Sequence, residues 1–364
     1  MQCCEAAAAR GFGPDTCATL RAQLGSIYLG CHNMGRSGER IPLDFCLEMH
    51  VCIAQSKIAR EMSDHYNIPY FMVEVPAWSD PASQEYFVAQ MDDAIRWMEK
   101  VTGRKYDDEL LIKATHTDWR NRVLWARIVE LTRHIPSPID LRMIGSMNVM
   151  LQVGKTCNSE LTPLLQDLLA ELQDRAARNI AALGVERGRL VHEGQWPQFS
   201  CGSWAPGVIL RLGVPYGAIF VAGRNAFNIY AAWETLENGS WRPARNLEEQ
   251  GVTLKDRGDA LRSIARLYTE FWPTSAEMQI APRVKHLLAL VQDWHADGVV
   301  FNLDRSCHGV TPGMLEARHE LQKMGVPSMV YEASYCDPRE FDRTKVMEGI
   351  ESFLEGMGLT KAAA

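Results

Sequence analysis

The chain has 364 residues, a net charge of −7, and 46% apolar against 23% charged residues. That charge excludes a general nucleic-acid binder, which carries a basic excess or stripe; no apolar run of about 18 residues is present to span a membrane. The opening Met1-Gln-Cys-Cys-Glu5 lacks the basic and apolar regions of a signal peptide, so the expected location is cytoplasmic.

Taken in order, Asp15 to Tyr28 predicts a helix. Ile41 to Met49 reads as a strand leading to His50-Val51-Cys52. A helix follows from Ile53 to Tyr66, with apolar residues at Ile53, Ile58, Ala59 and Met62, and Asn67 to Pro76 is a turn followed by a strand. These elements make a βαβ unit with Cys52 at the end of its first strand. Ser83 to Val101 and Asp107 to His134 predict amphipathic helices, the second carrying Leu110, Leu111, Ala114, Trp119, Val123 and Ala126. Asn158 to Leu183 predicts another helix and closes the first half.

Arg189 to Trp196 begins a new strand and loop, with a helix expected over Gly202 to Gly213 and a strand over Tyr216 to Val221. Leu247 to Tyr268 and Met278 to His295 read as helices. Val299 to Leu303 is short and partly β-branched, as a buried parallel strand should be. Arg305-Ser306-Cys307-His308 fall where it ends. Pro312 and Gly313 fit the first turn of a helix from Thr311 to Met324, and Gly325-Val-Pro327 leads to a strand ending at Glu332. Cys307 is therefore expected at the C-terminal edge of a parallel strand beside a helix N-terminus, where α/β sheets bind ligands and where a thiolate is favoured. Cys52 occupies the equivalent place in the first half. The fold class expected is α/β: two lobes, 1–183 and 184–364, with an additional helical layer contributed by both.

Ten cysteines occur, at 3, 4, 17, 31, 46, 52, 157, 201, 307 and 336. No Cys-x-x-Cys pair is among them, which removes zinc ribbons, thioredoxin-like sites and bacterial-ferredoxin spacing. Buried structural thiols, or a metal site assembled from distant segments, remain. Other motifs fail. Gly11-Phe-Gly13-Pro-Asp-Thr16 lacks the third glycine and a preceding strand, and Val153-Gly-Lys-Thr156 has Val149 where a phosphate loop needs its first glycine. Nucleotide hydrolysis by this chain is not expected. His50, His192, His295 and His308 form no His-Glu-x-x-His zinc motif.

Asp15-Thr-Cys17-Ala-Thr-Leu-Arg-Ala-Gln-Leu-Gly25 resembles the first cluster-cysteine segment of the benzoyl-CoA reductase / 2-hydroxyacyl-CoA dehydratase family. Ile41-Pro-Leu-Asp-Phe-Cys-Leu-Glu-Met-His-Val-Cys52, with Lys57 and Asn67-Ile-Pro-Tyr-Phe71, resembles its second. Asp297-Gly-Val-Val-Phe301, Ser306-Cys307, Gly325-Val-Pro327, Glu332 and Asp337-Pro-Arg339 resemble its C-terminal signature, and Leu190 to Pro197 is similar to the segment that opens the second lobe.

The resemblance implies two flavodoxin-like (Rossmann-like) lobes and a [4Fe–4S] cluster held by Cys17, Cys52 and Cys307, with one iron left without a protein thiolate. It implies a subunit of an ATP-driven, benzoyl-CoA-reductase-like enzyme that passes single electrons to an acyl-CoA thioester. A homologous cluster-binding subunit would complete a heterodimer, and a separate ATP-hydrolysing activator would supply the electron. A 2-hydroxyacyl-CoA dehydratase subunit is one alternative; a cluster-free structural or electron-relay subunit is another. Glu193 and Trp196 are expected to line the acyl pocket, and His308 to donate a proton. Glu332 and Asp337 are expected to cap or brace the last strand-to-helix turn. Only 16 residues precede Cys17, fewer than the resemblance implies, so either a partner subunit covers that face or the chain is truncated.

Overall fold

A computed structural model describes residues 1–34, 38–50, 52–195, 213–224, 227, 230–271 and 280–361. The chain opens with two helices, α1 (Gln2–Ala8) and α2 (Ala18–Tyr28). The second, expected from Asp15, begins only at Ala18 and leaves Cys17 as its N-cap. A parallel pair follows: β1 (Cys46–His50), α3 (Ile53–Tyr66) and β2 (Tyr70–Glu74). The helix α3 matches its expected span. It stops at Asn67, which takes the left-handed conformation (φ 51°) that asparagine tolerates at a helix end. The strand expected from Ile41 begins only at Cys46, where the Cys46 N–H reaches the Pro69 carbonyl at 2.8 Å. Pro42 has no N–H to contribute to a ladder.

Helices then dominate: α4 (Pro81–Thr102), α5 (Asp108–Glu130), α6 (Leu141–Gly154) and α7 (Leu161–Ala177). Asp80, Asp107 and Asp140 cap the first three, each carboxylate accepting N–H groups of the opening turn. On α5 the buried face includes Trp119, Val123 and Ala126, whereas Leu110 is exposed. The helix α6 has no counterpart in the sequence-based expectations, and it explains the failed phosphate loop. Gly154 closes this helix and Lys155 follows it, so the segment offers helix C-terminal carbonyls rather than the N-terminal N–H groups a phosphate needs.

The second half builds a four-stranded parallel sheet from β3 (Gly188–Glu193), β4 (Ala218–Ala222) and, after the short antiparallel pair β5 (Trp233–Thr235) and β6 (Trp241–Pro243), two later strands. Helices α8 (Arg257–Thr269) and α9 (Ile280–Asp293) lead to β7 (Gly298–Asn302); α10 (Met314–Lys323), β8 (Ser328–Tyr331) and α11 (Arg343–Gly356) finish the chain. The helix expected from Leu247 begins only at Arg257. That expected from Thr311 begins at Met314, with Gly313 (φ 83°) as its cap rather than in its first turn. All but the last residue of the helix expected over Gly202 to Gly213 lies outside the described residues.

The strand order is β4-β3-β7-β8, every pair parallel. Every residue of β3, β4 and β7 is buried, which accounts for the nearly unbroken apolar runs of β4 and β7, whereas β3 buries Arg189, His192 and Glu193 with polar partners. The chain moves outward one way from β3 to β4 and the other way from β7 to β8. The loops after β3 and β7 therefore diverge, and the crevice at such a switch point is where an open α/β sheet binds ligand.

The fold is thus mixed α/β with a helical layer. The sheet in the first half has two strands among the described residues, against four in the second. The helical layer is shared: α8 packs against α4 and α5, with the Trp119 Nε1 donating to the Ser263 carbonyl at 3.3 Å and Arg257 pairing with Asp108 at 2.7 Å. The largest apolar core runs across residue 184. Trp125, Leu151 and Leu165 belong to the same cluster as Val191, Phe220 and Val299. Burial of each such aliphatic side chain contributes on the order of 1.5–3 kcal/mol. No described helix is long and apolar enough to cross a membrane.

Candidate metal centre

Cys17 and Cys52 are the N-cap residues of α2 and α3, and Cys307 lies in the turn after β7. Neither cap makes a side-chain capping bond of the usual kind, so their sulfurs remain available. All three line one cavity of about 420 Å³, together with Glu48, Gln195, Asp304 and Tyr335. Cys17 interacts electrostatically with both Cys52 and Cys307.

Cys52 and Cys307 share a local design. The backbone amides of Gln55 and Ala54 favour negative charge on the Cys52 sulfur, and those of Val310 and Gly309 favour it on the Cys307 sulfur. In both cases the amides are those of the second and third residues onward, an arrangement that favours an anion. Burial opposes it. It pushes the Cys307 thiol up to about 11, with Asp304 and Cys17 adding to the rise and the two amides working against it. Burial also raises Cys52, where Cys17 and Glu48 add to the effect.

The Cys17 helix is fastened directly to the Cys307 turn. The first N–H of α2, from Ala18, donates to Ser306 Oγ at 3.2 Å. Ser306 Oγ in turn donates to Asp304 Oδ1 at 2.7 Å, and that oxygen also accepts the Ser306 N–H at 2.9 Å. Asp304 Oδ2 accepts the Tyr335 N–H at 2.9 Å. Deeper in the sheet edge, Asn302 Nδ2 donates to the carbonyls of Gln195 (2.7 Å) and Ala333 (3.1 Å), tying the loops after β3, β7 and β8 together. On the opposite wall Glu48 is buried and accepts from Ser56 Oγ (2.8 Å) and Tyr70 Oη (2.6 Å).

The other expected site residues lie elsewhere. His308 follows Cys307 but is exposed and is not among the residues lining the cavity. Glu193 is fully buried at the end of β3, neither solvated nor lining the cavity. Its Oε1 accepts two bonds from Arg224 (2.6 and 3.1 Å), while Oε2 has no hydrogen-bond partner. Trp196 lies outside the described residues. Asp337 caps the short helical turn Pro338–Glu340 as expected, and also binds Arg21 across the molecule. Glu332 instead meets Arg305 on the surface at 3.3 Å.

Glu48, Gln195, Asp304 and Tyr335 were not anticipated from the sequence. Asp304-x-Ser306 carried a usable signal, since an aspartate two residues ahead of a serine readily accepts its N–H in a turn. Glu48 carried one as well, being a charged residue inside an otherwise apolar strand.

Among the described residues, no three His, Cys, Asp or Glu side chains converge on a single ion-sized position. The donor set nonetheless suits a cluster. Thiolates are the ligands of iron–sulfur centres, and a cubane presents separate irons to separate sulfurs around a cavity.

A parallel α/β sheet with three thiols lining one cavity at its switch point places this chain in the class of α/β proteins that present loop residues to a ligand at a sheet edge. The chain belongs to the 2-hydroxyglutaryl-CoA dehydratase D-component family, whose model matches residues 1–205 and 225–357. It is 23% identical over 372 residues to the (R)-phenyllactyl-CoA dehydratase alpha subunit of Clostridium sporogenes, covering 99% of this chain and 81% of that protein. A benzoyl-CoA reductase subunit of Thauera aromatica is 24% identical over 374 residues, covering 97% and 79%. The (R)-2-hydroxyglutaryl-CoA dehydratase alpha subunit of Acidaminococcus fermentans is 22% identical over 319 residues, covering 85% of this chain and 59% of its own length.

Proposed function

We propose that this chain is a cluster-binding subunit of an enzyme that delivers single electrons to an acyl-CoA thioester, with Cys17, Cys52 and Cys307 holding a [4Fe–4S] cluster. The observation that carries the reading is the convergence of these three thiols, from three distant segments, on one cavity. When bound, the cluster supplies a one-electron donor whose potential depends on nearby charge, hydrogen bonds and exposure.

The protein's own groups set those conditions. The amides of Ala54, Gln55, Gly309 and Val310 favour negative charge on the Cys52 and Cys307 sulfurs. The carboxylates of Glu48 and Asp304 place negative charge beside the thiols, which disfavours an added electron and favours a low reduction potential. Tyr335, whose hydroxyl burial pushes far up, stays protonated on the cavity wall.

A second cavity of about 750 Å³ shares Leu47, Met49 and Gln55 with the first. Its walls are largely apolar, including Val73, Met91, Ile95 and Leu261, with the paired Arg122 and Asp118 (2.9 Å) and the exposed Lys155 as its charged groups. Such a largely apolar space suits an acyl chain. We assign no part in acyl binding to Glu193, whose charge Arg224 already neutralises. His308 is retained as a proton carrier at the exposed rim of the Cys307 turn.

Two chemistries fit this arrangement. Ring reduction of an aromatic acyl-CoA is supported by the likeness to the benzoyl-CoA reductase subunit. Dehydration of a 2-hydroxyacyl-CoA is supported by the family description and by the phenyllactyl- and hydroxyglutaryl-CoA relatives. That these relatives are themselves named as subunits also supports a partner chain here, and the absence of a phosphate loop at Val153–Thr156 supports a separate ATP-hydrolysing activator. Anaerobic purification with iron and sulfide analysis tests the first claim: substantial iron and sulfide is expected, and none after reconstitution would refute the cluster. Turnover of benzoyl-CoA against a 2-hydroxyacyl-CoA, with partner and activator present, then decides the chemistry.

A further inference from the structure

We propose that Cys3 and Cys31 form a reversible disulfide on exposure to hydrogen peroxide, making the α1–α2 helix pair a modification site separate from the cysteine-lined cavity. The arrangement begins at Gly25. A Cβ there would lie 1.7 Å from the carbonyl oxygen of Cys3, so only glycine lets the two helices approach backbone to backbone. Cys3 is thereby laid beside the C-terminal end of α2. Beyond that end Gly30 takes φ 68°, and Cys31 turns back so that its N–H reaches the Ser26 carbonyl at 2.9 Å. The Cys31 sulfur also lies 3.5 Å from that carbonyl. Burial raises the Cys3 thiol, and the neighbouring Cys31 raises it further.

Thiols brought side by side by the Gly25 and Ser26 contacts need only a modest approach to reach bonding geometry. Their exposure differs in a useful way: Cys31 is exposed and Cys3 is partly buried. Cys4, the neighbour of Cys3, is buried with its sulfur 4.0 Å from the Cys336 carbonyl. Cys17 is at the opposite end of α2.

The chemistry balances with peroxide as the oxidant. The Cys31 sulfur attacks one peroxide oxygen; an S–O bond forms, the O–O bond breaks, and water leaves, giving a sulfenic acid. The Cys3 sulfur then displaces that hydroxyl, forming S–S and breaking S–O, and its proton leaves with the second water. Two thiols lose two electrons and one peroxide becomes two waters. A dithiol reductant reverses the product by exchange.

The test is equimolar peroxide added to the anaerobically purified full chain, followed by denaturing alkylation and non-reducing peptide mass spectrometry. Two fewer of the ten cysteines should alkylate, with one linked peptide joining Cys3 to Cys31 and vanishing on reduction. Cys31→Ser should abolish the link. Cys3→Ser should leave Cys31 as a sulfenic acid captured by a dimedone probe. Full alkylation after peroxide, or a link joining other cysteines, would overturn the proposal. Iron content plays no part in the readout, so the result stands apart from the cluster assignment.

Discussion

Arg21, on the helix that Cys17 caps, donates to Asp337 at 2.8 Å although 316 residues separate them in sequence. Both side chains are essentially buried, and the second guanidinium branch reaches Glu340 at 2.7 Å. This pair and the Ala18–Ser306 bond fix the position of Cys17 against the half of the chain that carries Cys307. Burial alone would raise Asp337, but hydrogen bonds from Arg339, with the charges of Arg339 and Arg21, hold its carboxyl below the usual range.

Breaking one side of that pair should be costly, because a buried group loses a charged hydrogen bond and keeps only its second partner, Glu340 for Arg21 and Arg339 for Asp337. Asp337→Ala or Arg21→Met is expected to lose about 1.5–3 kcal/mol of stability. The double variant Arg21→Met/Asp337→Ala should lose less than the two single losses combined. Denaturant titration of all three checks this; strictly additive losses would show the pair to be uncoupled.

Cys307→Ala should abolish iron binding while leaving far-UV circular dichroism unchanged, and Cys17→Ala and Cys52→Ala should behave alike. Retention of a full cluster in any of them would mean that residue is not a ligand. Glu48→Gln, which removes a charge but keeps the shape of the Ser56 and Tyr70 contacts, should move the cluster potential to a more positive value in a redox titration.

Acid should weaken the fold well above the carboxylate range. Burial lowers His192 to about 3, and burial, with the charges of Arg224 and Lys285, lowers His286 to about 4. Both are neutral in the folded state near pH 6, while in the unfolded chain each takes up a proton below about 6.5. The unfolded state then binds more protons, so stability is complete above that pH and falls as pH drops toward the folded values. Each histidine should account for on the order of 3 kcal/mol at pH 4. Urea midpoints between pH 7 and pH 4 measure it, and His286→Gln should flatten the curve.

Gly194 sets the turn out of β3 with φ 110°, and a Cβ there would stand 2.5 Å from the Asn302 carbonyl oxygen and 2.8 Å from Met314 Cε. Gly194→Ala should therefore cost about 2 kcal/mol or more, through backbone strain and displacement of β7. Thermal unfolding beside the parent protein checks the loss. Faster alkylation of Cys307 would show that the strain reaches the cavity.

Much of the site was legible in the chain itself. Cys52 and Cys307 stand at strand ends before helices, and those places follow from short apolar runs, turn residues and helix periodicity. The Asn67-Ile-Pro and Gly325-Val-Pro turns marked where the next strands begin. Less was legible where contact rather than pattern decides. Ile41–Phe45 looks apolar enough for a strand but joins no sheet among the described residues, and α6 carries too little polar contrast to be set apart from its surroundings. Glu193 reads as a loop carboxylate, yet Arg224, 31 residues away, buries and neutralises it.

By itself the sequence determined the α/β class and the strand-end places of Cys52 and Cys307, because periodicity and turn chemistry act over a few residues. Only the tertiary structure decided that Cys17 caps its helix, that the three thiols share one cavity, that Glu48 and Asp304 charge its walls, and that His308 lies outside it. The physical reason is range. Convergence of residues 17, 52 and 307 depends on strand order and on buried bonds such as Arg21–Asp337 and Ala18–Ser306, whose partners lie hundreds of residues apart.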